Sequence, residues 1–217
     1  MVRDLVVASG YAAVFVNYTL SPEAKFPQAV NEVYAATKWV AAHGKEINVD
    51  GKRLAIVGNS AGGNMSAVTC LKAKEEGGPD IKVQILLWPV TDAGTDYESF
   101  KLYGEQRFLT SSLLDWMASQ YISKPEDADN VHFSILRASV DQLKGLPPAL
   151  IEVSENDILR DQGEAFGRKL DQAGVEVSTI RFNNTIHDWG MLNGLGHTPE
   201  TKTLITISAA TLKRYLK

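Results

Sequence analysis

The stretch "RLAIVGNSAGG", residues 53–63, runs from a short apolar segment through a serine set among glycines and into a segment with helical spacing. The apolar run has the length and composition of a strand, and the residues after it have the period of a helix. A strand that turns at once into a helix forces its junction residue into strained backbone angles. Gly58 and Gly62 flank Ser60 at the spacing G-x-S-x-G that such an elbow needs. The turn lifts the Ser60 hydroxyl to a helix N-terminus, where the backbone of Ala61 and Gly62 faces any oxyanion that forms. The competing reading is a structural turn that happens to carry a hydroxyl, and the remainder of the chain decides between them.

Working outward, short apolar runs alternate with helical patterns. Strand candidates are "YAAVFVNY" (11–18), "RLAIVG" (53–58), "KVQILLW" (82–88), "PALIEVS" (148–154) and "EVSTIRF" (176–182). Between them, residues 28–42 put Ala29, Val30, Val33, Ala36 and Val40 on one stripe before Gly44, and 161–173 do the same with Ala165, Phe166, Leu170 and Ala173 before Gly174. The last helix opens at Thr198-Pro199 and buries Ile205, Ala209, Leu212 and Leu216. This alternation predicts an α/β fold: a mostly parallel sheet with helices on both faces and ligands at the carboxyl ends of its strands.

Composition narrows the classes. The chain has 217 residues, 44% of them hydrophobic and 22% charged, enough for one globular domain with a sizeable core. A net charge of -4 and the lack of a basic run argue against nucleic acid. No segment has the length of a membrane span, and Arg3 and Asp4 interrupt the N-terminus where a signal peptide would be apolar, so a soluble cytoplasmic protein is expected. Cys70 is the only cysteine, which excludes an internal disulfide, and its apolar helix predicts a buried packing role.

One region breaks the alternation. From Pro89 to Pro147 there is no strand candidate, only loops and an amphipathic helix near 111–122. Residues 89–147 are either a lid or pocket wall over the strand ends, offering Phe100, Leu109, Leu113, Trp116 and Met117 to a substrate, or an insertion packed on the body of the domain.

A nucleophilic serine needs a base, and the base an orienting carboxylate, here in loops after later strands in the order serine, acid, histidine. After "PALIEVS" comes "ENDILRDQG" with Asp157 at the strand end; after the last strand comes "NNTIHDWG" with His187. His43, His132 and His197 lie elsewhere. Asp161 reads as the start of the next helix, and Glu155 is a weaker rival to Asp157.

Together, "NYTLSPEAKFP" (17–27), "GNSAGGN" (58–64), "LLWPVTD" (86–92), "GLPPALIEVSENDILRDQG" (145–163) and "IHDWG" (186–190) closely resemble the α/β-hydrolases of the hormone-sensitive-lipase-like esterases. The resemblance implies hydrolysis of short to medium acyl carboxylic esters through an acyl-enzyme, with Ser60 as nucleophile, His187 as base and then acid, and Asp157 orienting the imidazole. It implies no metal or organic cofactor. Trp88 and Trp116 are assigned to substrate contact beside the Ala61 and Gly62 backbone. Two departures stand out. The family often has Asp where this chain has Asn59. It also carries a His-Gly-Gly-Gly oxyanion loop upstream of the segment matching residues 17–27, and no such sequence occurs in this chain. The expectation is an N-terminally truncated α/β-hydrolase in which strand 11–18, lacking its usual neighbour, either pairs directly with strand 53–58 or drives a homo-oligomer through an exposed edge. A weak esterase follows; the alternatives are a ligand-binding module without turnover and a fragment that needs a partner chain.

Overall fold

In the computed structural model, which describes residues 1–217, four parallel strands lie side by side in chain order: β1 (Leu54–Asn59), β2 (Ile81–Leu87), β3 (Ala149–Asn156) and β4 (Val177–Ile186). The central position of β2 explains its unbroken apolar sequence. Val83, Ile85 and Leu87 face one side of the sheet and Leu86 the other, and all four are fully buried. β1 and β4 form the two edges and are correspondingly half-exposed along their length.

Helices cover both faces. On one side α2 (Gln28–His43), α3 (Ala61–Glu76) and α7 (Arg160–Gln172) bury Val30, Val33, Val68, Leu71, Phe166 and Leu170 against the sheet. Cys70 sits in this cluster, and burial pushes its thiol far above the ordinary range, so it acts as a packing group. On the other side α8 (Pro199–Tyr215) lays Leu204 and Leu212 over Val83, Ile85 and Leu150. Thr198 caps this helix by accepting from the Thr201 amide.

Between β2 and β3 lie α4 (Glu98–Tyr103), α5 (Ser111–Tyr121) and α6 (Val140–Leu143). Phe100 and Leu109 from this excursion pack on Ile158 and Leu159, the residues that follow Asp157, while Leu113, Trp116 and Met117 on α5 stay exposed. The five apolar residues therefore divide: two anchor the insertion to the body, and three form an outward stripe at i, i+3, i+4 spacing.

Two features depart from the sequence reading. α1 (Val2–Ser9) was not anticipated from local spacing. It carries no side-chain cap and ends at Gly10 in the left-handed region, and it is held by Met1 and Leu5 against the cluster under α8. The larger correction concerns residues 11–18, expected as a strand that either pairs with 53–58 or drives a homo-oligomer. They form no strand, and their backbone makes no hydrogen bond to any other backbone group. Tyr11 is anchored on the α8 side, where its hydroxyl donates to the Leu216 carbonyl, and Val16 and Tyr18 are anchored on the α2 and α3 side. The alternating pattern supplies two faces, but a ladder also needs a neighbour in register.

Candidate active site

β1 ends at Asn59 and α3 begins at Ala61, so Ser60 alone makes the turn. Its φ of 53° lies in the left-handed region, uncommon for a residue with a side chain. The strain is held by neighbouring bonds: the Ser60 amide donates to the Leu87 carbonyl at 2.9 Å, and its carbonyl accepts from Asn64 and Val90. The need for glycine is not where the G-x-S-x-G spacing suggests. A Cβ on Gly58 would strike the Gly62 carbonyl, and one on Gly63 would sit 2.9 Å from Pro89 Cβ, whereas one on Gly62 would meet only Asn59 Oδ1 at 4.0 Å.

The structure brings Ser60, His187 and Asp157 into one line. His187 Nε2 lies 3.0 Å from Ser60 Oγ, and its Nδ1 lies 2.7 Å from Asp157 Oδ2. Asp157 follows the end of β3, and its other oxygen accepts from the Leu159 amide at 2.9 Å. His187 follows the end of β4 and is buried together with Asp157. Burial alone would lower the imidazole's affinity for a proton. The charge and hydrogen bond of Asp157, with a contribution from Asp188, outweigh it and hold His187 above its ordinary value.

The rival residues have other partners. Asp161 lies in the first turn of α7, where it accepts from the Ser99 amide and pairs with Arg160. Glu155 accepts from the Asn184 amide. His132 meets Glu75, and His43 stacks on Trp39 beside Glu46. Of the two tryptophans assigned to substrate contact, Trp88 is fully buried and does not open onto solvent. It packs 4.4 Å from the Trp189 ring and edge-on to His187 at 6.5 Å. Trp116 is 60% exposed on α5 and bonds to none of the three residues. Surface depressions of about 580 Å³ and 430 Å³ lie beside α2 and between α1 and α8, and neither is lined by Ser60, His187 or Asp157.

One residue of this neighbourhood escaped the sequence reading. Asp188 Oδ1 accepts from Trp88 Nε1 at 2.6 Å and from Asn59 Nδ2 at 3.0 Å, and its Oδ2 is 3.9 Å from His187 Nε2. The signal was present only as "HDW", an acid beside a histidine, whose partners are 129 and 100 residues away.

Residues 1–191 match the profile of the alpha/beta hydrolase fold, and the chain belongs to that family. Among solved structures, a thermostable esterase from Pseudomonas putida is 52% identical and superposes with a TM-score of 0.98 over 100% of this chain and 68% of its own. A hyperthermophilic esterase from Pyrobaculum calidifontis is 37% identical, with a TM-score of 0.93 over 98% of this chain and 69% of its own. Curated relatives include an esterase of Gibberella moniliformis, 31% identical over 99% of this chain and 68% of its own length. They also include an ethyl acetate hydrolase of Pseudomonas putida, 34% identical over 86% and 58%. The chain spans roughly half to two thirds of the length of the curated relatives it matches, 62% in the case of a mimivirus alpha/beta hydrolase. No helix is long and apolar enough to cross a membrane.

Proposed function

We propose that this chain is a serine hydrolase of carboxylic esters, a reading carried by the continuous hydrogen-bonded line from Ser60 Oγ through His187 to Asp157. Ser60 Oγ attacks the ester carbonyl carbon while His187 Nε2 takes its proton, and Asp157 stabilises the imidazolium through Nδ1. The negative charge that develops on the carbonyl oxygen faces the N-terminus of α3, with the Ala61 amide as donor. His187 then hands its proton to the departing alcohol, leaving an acyl group on Ser60. Water, deprotonated by His187, attacks that acyl carbon and releases the acid, and the proton returns to Ser60. Short acyl esters fit this reading because a named relative hydrolyses ethyl acetate.

Hydrolysis of p-nitrophenyl acetate and butyrate is expected to exceed that of a long-chain ester and to vanish in Ser60→Ala and His187→Ala. Wild-type rates equal to those of Ser60→Ala overturn the reading and leave a binding module. A second reading, favoured by the unbonded backbone of residues 11–18 and by the edge position of β1, is that the sheet is completed by a strand from another polypeptide segment. Co-expression with the N-terminal third of a related esterase then raises both soluble yield and turnover. Unchanged yield and turnover count against it.

A further inference from the structure

His187 and Asp188 are consecutive, and between them they reach the ends of all four strands. His187 bonds to Ser60 after β1 and to Asp157 after β3; Asp188 bonds to Asn59 at the end of β1 and to Trp88 just past β2. The geometry points to Asp188 as a positioning residue: it locks the loop carrying His187 to the nucleophile elbow and places a carboxylate beside the imidazole nitrogen that exchanges protons with Ser60. The catalytic meaning of this clamp rests on the hydrolase reading above, but the clamp is a property of the fold.

Three observations carry it. Asp188 adopts φ 58°, the left-handed region that Asp and Asn tolerate best, which turns its carboxylate inward. The indole of Trp88 is buried and has a single polar atom, so its N–H needs an acceptor, and Asp188 supplies one. Asn59 Nδ2 donates to the same carboxylate oxygen at 3.0 Å, so an amide and not a carboxylate is needed at position 59. A carboxylate there would lie 3.0 Å from that of Asp188, and two like charges at that distance repel strongly. Asn59 and Asp188 are therefore a matched pair. The charged groups that face the imidazole are Asp157 on Nδ1 and Asp188 on the Nε2 side. Trp88 and Trp189, which pack around them, carry no charge.

The test is Asp188→Asn, which keeps the acceptor oxygen, tolerates the same backbone and removes only the charge. In the Ser60→Ala background, where no turnover is needed, the His187 ring is followed by NMR across pH 5–9. The midpoint is expected to fall to lower pH when Asp188→Asn is added, and an unchanged midpoint overturns the inference. In the enzyme with Ser60 intact, kcat is expected to drop about tenfold with KM unchanged, a fraction of the 10² to 10⁴ that general-base catalysis contributes. An inactive wild type defeats the hydrolase reading while leaving the titration readable, so the two failures are distinct. Should Asp188→Asn fail to fold, Trp88→Phe removes one donor and keeps the charge. It is expected to lower kcat at constant KM, and an unchanged kcat overturns the clamp.

Discussion

At the scale of single residues, the proposed chemistry turns on the proton affinity of His187. The imidazole must be neutral to accept the Ser60 proton, and Asp157 with Asp188 holds it above its ordinary value of 6.5 despite its burial. A raised value means that protonation silences the base at a higher pH than a free histidine would. The acid limb of kcat/KM for p-nitrophenyl butyrate is therefore expected to have its midpoint above pH 6.5, with activity lost as pH falls through it. A profile flat from pH 5 to 8 removes His187 from the role. The three residues of the hydrogen-bonded line were legible in the sequence because each follows a strand and because their chain order is constrained. Asp188 was not, since its two donors come from remote strand ends and nothing local marks it.

At the scale of elements, the strand-turn-helix of β1 and α3 is where sequence and backbone constrain each other most tightly. The G-x-S-x-G spacing singled out Gly58 and Gly62, yet close approach makes Gly58 and Gly63 the demanding positions. Gly58→Ala drives a methyl into the backbone of Gly62, which cannot move without breaking the elbow. Gly63→Ala presses on Pro89, which follows β2. Each is expected to cost about 1–3 kcal/mol in urea unfolding, in the range of overpacked core sites. Gly62→Ala meets only the end of the Asn59 side chain and gains helix propensity, so its stability is expected to stay within about 1 kcal/mol of wild type. If Gly62→Ala is the most damaging of the three, the steric account fails. The third glycine's importance was hidden because Pro89 reaches it from another strand end.

At the scale of the whole molecule, stability carries a pH dependence that no motif announces. Glu152 lies mid-strand in β3 with its side chain fully buried; one oxygen accepts from Ser208 of α8, and the other has no partner. Burial pushes its carboxyl up to about 8, against 4.5 ordinarily. Between those limits the folded chain keeps a proton that the unfolded chain has released, so stability falls as pH rises from 4.5 towards 8, by roughly 1.4 kcal/mol per pH unit at most. His187, also raised, loses its own contribution as pH climbs through its folded value, so both act in the same direction. Glu152→Gln keeps the shape and removes the ionisation. Its urea midpoint is expected to exceed that of wild type at pH 8 and to match it near pH 5, and equal slopes for the two proteins would dismiss the buried carboxyl as the source. The same scale governs the sheet edge, where β1 has a strand neighbour on one side only.

The sequence by itself determined the order of the four sheet strands, their parallel arrangement and the three residues of the hydrogen-bonded line, because apolar periodicity, glycine punctuation and chain order are local signals that survive without coordinates. Cys70 and the capped start of α8 were legible for the same reason. Tertiary structure alone decided the rest. Residues 11–18 have a strand's alternation but no hydrogen-bonded neighbour, since pairing depends on where another backbone lies. Trp88 reads as a pocket aromatic until Trp189 and Asp188 close around it. The Asn59–Asp188–Trp88 contacts join chain positions that only the meeting of strand ends brings within 3.0 Å.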